Sequence, residues 1–140
     1  MVVPTEGRAR AFYNAAMFVH LRLHTEFSVV DGTNRIDEAV ASAAADGQPA
    51  LAISDLNNLF GAVKFYKAAR GKGGKPMRGV ESVREGGAGH PPARLVLLVQ
   101  GSQGYLNLSE LLARAWTRNA AKGQAQCTWA WLEELSPGLI

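Results

Sequence analysis

Four side chains within the first 81 residues could do chemistry together: His24, Asp31, Asp55 and Glu81. An imidazole and carboxylates gathered on one rim are what a divalent-metal hydrolase requires. Such metals take nitrogen and hard oxygen ligands, and they lower the pKa of a bound water toward neutrality. The same residues have a plainer reading. Acids just after strands often cap helices, and a single histidine is more often a hydrogen-bonded core or surface residue than a ligand. Ser28 has no matched histidine and acid nearby, so nucleophilic catalysis is not supported.

These side chains meet only if the elements carrying them end together. Val19, Leu21 and Leu23 alternate with His20, Arg22 and His24, which predicts a strand with one apolar and one polar face. Asp31-Gly32-Thr33-Asn34 reads as a turn that can also cap a helix. Ile36, Ala39, Val40, Ala43 and Ala44 then recur at helical spacing, with Gly47 placed to end it. Pro49–Asp55 is a short apolar run, hence a buried strand. Asn57-Asn58 can cap a second helix whose face carries Leu59, Val63 and Tyr66 and which runs out at Gly71–Gly74. Met77–Val83 reads as a third strand, Glu85–Ala93 as a loop and Arg94–Gln100 as a buried strand. Tyr105–Trp116 is helical, with Leu108, Leu111, Leu112 and Ala115 on one side, and Trp129–Leu135 forms a last short helix. This alternation is the signature of an α/β fold with parallel strands. The order alone does not separate an open sheet from a barrel. Placing His24, Asp55 and Glu81 at strand ends favours a barrel, where active sites gather at one rim.

Composition narrows the class. Hydrophobic residues make up 47% and charged residues 19% of 140, which predicts one packed domain rather than a disordered chain. The net charge of +3 permits contact with nucleic acid without arguing for it. Lys64, Lys67, Arg70, Lys72, Lys75 and Arg78 come nearest to a basic cluster, and a solvated helix end and loop account for them equally well. Gly71-Lys72-Gly73-Gly74-Lys75 has a phosphate-loop look, but it follows a helix, and no Ser or Thr follows the lysine. Trp116, Trp129 and Trp131 read as packing residues rather than a stacking platform for single strands. Cys127 stands alone, so no internal disulfide forms, and no stretch approaches the ~20 apolar residues of a membrane span. Residues 1–17 lack the continuous apolar core of a secretory signal and read as an extension, with Met17 an alternative start. A cytoplasmic protein with no membrane contact is the expectation.

Three segments then carry a resemblance. His20-Leu21-Arg22-Leu23-His24-Thr25-Glu26-Phe27-Ser28, with Asp31-Gly32, is similar to a motif whose usual form is His-Leu-His-x-His-Ser-x-Tyr-Ser followed by Asp-Gly. The run from Ala50 to Tyr66 (ALAISDLNNLFGAVKFY) is similar to a second motif and its helix, and Lys75-Pro76-Met77-Arg78-Gly79-Val80-Glu81 to a third, Lys-Pro-x-x-Gly-x-Glu. Tyr105-Leu106-Asn107-Leu108, Trp131-Leu132 and Gly138-Leu139-Ile140 match in order. Together they resemble the polymerase-and-histidinol-phosphatase (PHP) domain at the amino terminus of bacterial DNA polymerase III alpha subunits.

The resemblance implies a partial PHP-type distorted (β/α) barrel over residues 18–140, incomplete at the carboxy end. It implies metal-ligand positions at 22, 24, 31, 56 and 81. His24, Asp31 and Glu81 keep ligand side chains and are the residual metal candidates, for zinc or manganese. Arg22 and Leu56 stand where metal-binding members have histidine. A guanidinium cannot deprotonate to bind a cation, and leucine has no lone pair, so the site is degraded. Arg22 is then expected in the metal's electrostatic place, paired with some of Asp31, Asp55 and Glu81. The alternative has it reaching solvent or an interface. The whole protein would be a template-directed, magnesium-using DNA polymerase in replication, a nucleotidyltransferase whose catalytic residues lie outside this chain. Its partners would be DNA and the other polymerase III subunits. A PHP domain with a degraded metal site implies a scaffold that can dock the proofreading exonuclease subunit. A stand-alone PHP phosphoesterase is the competing reading; it predicts histidine at 22 and 56, and both fail. A non-catalytic binding module is a third. A half-built barrel leaves an unpaired edge, so marginal stability or aggregation is expected.

Overall fold

Alanine content and spacing make Ile36–Ala45 the first helix, α1: Ile36, Val40 and Ala43 are buried, and Asp37 and Glu38 complement the dipole at its start. Gly47, at φ +70°, turns the chain out of the helix. The computed structural model describes residues 18–87 and 89–140, so the expected extension over 1–17 lies outside the described residues. After α1 come β1 (Ala50–Ile53), α2 (Ala62–Gly71), β2 (Lys75–Arg84), β3 (Ala93–Leu98) and α3 (Ser102–Arg118). A two-residue hairpin pair follows, β4 (Ala120–Ala121) and β5 (Gln124–Ala125), and then α4 (Trp129–Leu135), capped by the Thr128 hydroxyl.

The main sheet has the order β1-β2-β3. β1 and β2 run parallel, Ala50 opposite Lys75 through Ile53 opposite Arg78, and the same register carries on to a bridge between Leu56 and Glu81. β3 departs from the expected all-parallel order: it lies antiparallel to β2, with Glu81 opposite Val96 and Val83 opposite Arg94. The intervening loop holds no helix, and a parallel return needs a crossover of a dozen residues or more, so the chain doubles back as a long hairpin. Nor is β3 a fully buried strand as expected. Leu97 packs in the second apolar cluster, but Leu95, two residues earlier on the same face, is exposed, and Val96 and Leu98 on the other face are only partly buried. Its far edge pairs with Leu139 and Ile140.

The segment expected as the first strand runs beside β1 without a regular ladder. Ala52 N–H donates to His20 O (2.9 Å) and Ser54 N–H to Leu23 O (2.8 Å), so three residues advance on one side for two on the other. The slip falls around Arg22, and the Ser54 hydroxyl restores order by accepting Leu23 N–H at 3.0 Å. The helix α2 also turns inward a different face from the one expected. Its buried face is Ala62, Phe65 and Ala69, whereas Val63 and Tyr66 face solvent. The asparagines before it do not cap it. Asn58 closes the preceding turn on Phe60 N–H, and Asn57, at φ +52°, ties Val83 N–H and Ala125 O together.

Two apolar clusters hold these layers. One joins α1, α2 and β1 through Ile36, Val40, Leu51, Ile53 and Phe65, with Leu23 and Phe27 against its edge. The other joins β2, β3, α3 and α4 through Val80, Leu97, Leu108, Leu111 and Leu132. Each fully buried side chain of this size contributes roughly 1.5–3 kcal/mol. Together the clusters fix the ends of β1, β2 and β3 against one another, which is where the polar residues lie.

Candidate functional site

Glu81 is the centre of the polar rim. Its carboxylate is almost fully buried, with 2% of the side chain exposed, and three side chains converge on it. Arg22 donates from Nε to Oε2 and from Nη2 to Oε1, both at 2.9 Å, a bidentate pair. His24 Nε2 lies 2.5 Å from Oε2. Arg94 Nη1 stands 3.9 Å from Oε1. The Arg22 side chain itself is 61% exposed, so it reaches inward over the rim from solvent. Its pairing with Glu81 raises the guanidinium pKa further.

His24 links Glu81 to Asp31, with Nδ1 2.8 Å from Asp31 Oδ1. Both ring nitrogens therefore face carboxylate oxygens. Asp31 also accepts from the Ser28 hydroxyl at 2.8 Å and from Arg94 Nη1 at 2.7 Å. Burial pushes the Asp31 carboxyl up, but the donors Arg94, Ser28 and His24 outweigh it and hold the pKa at about 2. The turn that presents Asp31 is tight. Val30 N–H bonds Ser28 O across Val29, which sits at φ +55°, a strained γ-turn for a β-branched residue. The following glycine is required: a Cβ on Gly32 would lie 1.9 Å from Thr25 O.

Asp55 is close by but belongs to a separate knot. It is 1% exposed and accepts Thr25 N–H (2.6 Å) and the Thr25 hydroxyl (2.8 Å). Burial raises its pKa, against the opposing Thr25 hydrogen bonds. No arginine pairs with it among the described residues. Of the three carboxylates expected around Arg22, the structure brings only Glu81 into direct contact.

His24, Asp31 and Glu81 thus do meet, while Asp55 stands apart. Leu56 offers the site only its backbone N–H, which donates to Ser28 Oγ at 2.9 Å. The donors do not fit a metal. Both Glu81 oxygens are taken by the Arg22 fork, both His24 nitrogens by carboxylates, and no three His, Cys, Asp or Glu side chains among the described residues are arranged to hold one ion. Arg94 and Ser28 are the site residues that spacing did not reveal. The signal for Arg94 was the helix-free loop before β3. A hairpin starts its second strand at the rim where the first one ends, and Arg94 is the second residue of β3.

Other expectations resolve locally. Trp131 packs against the second cluster, and Trp116 donates to Asn57 O at 2.8 Å while staying half-exposed. Trp129 is exposed beneath the Arg84 guanidinium, 5.1 Å from the ring centre, so packing describes it poorly. Cys127 is buried and free, and no helix among the described residues is long and apolar enough to cross a membrane.

Comparison with known proteins identifies the family. The DNA polymerase III subunit alpha of Pseudomonas aeruginosa is 43% identical over 127 residues, covering 88% of this chain and 11% of that protein. The subunit of the same name from Neisseria meningitidis serogroup B is 47% identical over 83% of this chain and 10% of that protein. The chain therefore spans about a tenth of the length of the relatives it matches. Among solved structures, an amidohydrolase from Chromobacterium violaceum superposes with a TM-score of 0.55 at 23% identity, covering 69% of this chain and 32% of that one, a likeness of fold. The PHP domain model matches residues 20–140, and the chain belongs to the PHP domain family, as a partial α/β barrel similar to the amino-terminal part of DNA polymerase III alpha subunits.

Proposed function

We propose that the chain is the amino-terminal PHP portion of a replicative DNA polymerase III alpha subunit, in which Arg22 has taken the place of a divalent metal. The observation that carries the second half is the bidentate Arg22–Glu81 pair. A carboxylate this deeply buried needs a cation, and a guanidinium supplies one in a geometry that leaves neither oxygen free. On this reading no zinc or manganese is held at His24, Asp31 and Glu81, and the domain is a scaffold without hydrolytic activity of its own. Polymerase activity, magnesium and the nucleotidyl-transfer residues belong to the parent protein. Its partners are DNA and the other polymerase III subunits, the proofreading exonuclease subunit among them, in the cytoplasm. Identity of 43–47% to alpha subunits over most of the chain supports this above a stand-alone phosphoesterase.

Two experiments test the proposal. Elemental analysis after dialysis, with melting curves in the presence and absence of zinc or manganese, should find no stoichiometric metal and no thermal shift. Near-stoichiometric metal would overturn the replacement of metal by Arg22. Replacing the matching stretch of the full-length Pseudomonas aeruginosa subunit with residues 18–140 of this chain should preserve its primer extension. A chimera that folds but does not extend primers would count against the polymerase assignment.

A further inference from the structure

Between Leu56 and Val80 the chain has six cationic side chains and no carboxylate. The fold gives two of the six a partner. Lys64 bridges Glu26 at 2.8 Å and Asp37 at 3.5 Å, and Arg78 lies over the Tyr105 ring, 5.4 Å from its centre. Lys67, Arg70, Lys72 and Lys75 are exposed, and among the described residues none has a carboxylate oxygen within 4.0 Å. Lys67 and Arg70 are one turn apart on α2, Lys72 is in the turn that follows, and Lys75 opens β2. The cleft of about 160 Å³ where α1 and α2 end has Lys72 and Lys75 in its wall and no acid.

Two simpler accounts fall short. Cations at the end of α2 complement the helix dipole, which explains Arg70 and Lys72 but neither Lys67 and Lys75 nor the missing acids. A phosphate cradle built from backbone amides is ruled out, because the turn's amides are used internally. Lys72 N–H donates to Ala68 and Ala69 carbonyls, Gly73 to Arg70, Gly74 to Ala69 and Lys75 to Pro49, all at 3.0–3.2 Å. What remains is a row of long, exposed cationic side chains with no free backbone amides beside them in the turn. Such a row suits evenly spaced charges on a polymer better than one small anion.

We propose that α2 and the turn after it form a contact surface for the phosphodiester backbone of DNA, read without regard to sequence. The test is fluorescence anisotropy of the 140-residue chain with a short labelled duplex of arbitrary sequence, across a salt series. Wild type should bind at low salt. The quadruple variant Lys67→Gln/Arg70→Gln/Lys72→Gln/Lys75→Gln should bind at least about tenfold more weakly, with the slope of log K against log salt shallower by about 3.6. The control Arg118→Gln/Lys122→Gln, which removes cations elsewhere, should bind as wild type does. Circular dichroism establishes that both variants are folded. Absence of wild-type binding, unchanged binding by the quadruple variant or equal loss in the control would overturn the proposal. So would capture by phosphatidylserine vesicles in preference to duplex. Each of these outcomes would leave the PHP assignment untouched.

Discussion

Glu81, on β2, and Asp55, just past the end of the adjoining β1, are both carboxylates buried to within 2% of full exclusion, yet the fold accommodates them by opposite means. Glu81 is met by the charge of an arginine fork, with the His24 ring beside it. Asp55 is met only by neutral donors, the amide and hydroxyl of Thr25. The difference lies in where the partners come from. Arg22 reaches Glu81 from solvent, so that partner is replaceable by another cation without rebuilding the core. Thr25 is itself fully buried, so the Asp55 knot is part of the scaffold. One carboxylate holds a position where chemistry can change, and the other holds the strands together.

The largest effect is therefore expected at Asp55. Asp55→Ala strands the Thr25 amide and hydroxyl inside the protein and should cost about 3 kcal/mol in urea unfolding, at one to three per orphaned donor. A loss below about 1 kcal/mol would place the knot nearer the solvent than the structure has it. Gly32→Ala comes next. It drives a methyl group into Thr25 O beneath the Asp31 turn and should destabilise by about 2 kcal/mol.

The two sides of the comparison also have opposite pH signatures. Asp31 titrates at about 2 in the fold against an ordinary 3.8, so its stabilisation is complete above that ordinary value and is lost as pH falls toward 2. Solvent exposure limits this to about 1 kcal/mol. Asp55, whose pKa is raised, works the other way: through the window above its ordinary value, stability from this group falls as pH rises. Melting curves from pH 2 to about 6, the range over which carboxylates titrate, should show Asp31→Asn flattening the acid limb. Asp55→Asn should steepen it, and equal slopes in both variants would break the comparison. The smallest effect is at Val29, where Val29→Gly relieves the γ-turn and should stabilise by a few tenths to about 1 kcal/mol.

Much of this was legible in the residues. The apolar periods of α1 and α3 place their buried faces, except that Ala44 of α1 is exposed, because both helices pack along one stripe. The α2 face was misread because Phe65 and the small residues Ala62 and Ala69 fill it, while the larger Val63 and Tyr66 point outward. β3 looked buried on hydrophobicity alone, which does not report how far along a strand its cover extends: the first three residues, Ala93 to Leu95, are exposed. His24, Asp31 and Glu81 were legible as a group through strand ends and resemblance. Arg94 was not, since its place depends on the strand direction set by the preceding loop.

Thermal melting of Arg22→Ala beside wild type and Arg22→Lys tests most directly whether a guanidinium does a cation's work at Glu81. The expected result is a clear drop in melting temperature for Arg22→Ala, a smaller drop for Arg22→Lys, which keeps the charge but loses the fork, and no metal-dependent shift in wild type. An Arg22→Ala protein that melts with wild type would contradict this role, leaving Arg22 a surface side chain and Glu81 neutralised by other means.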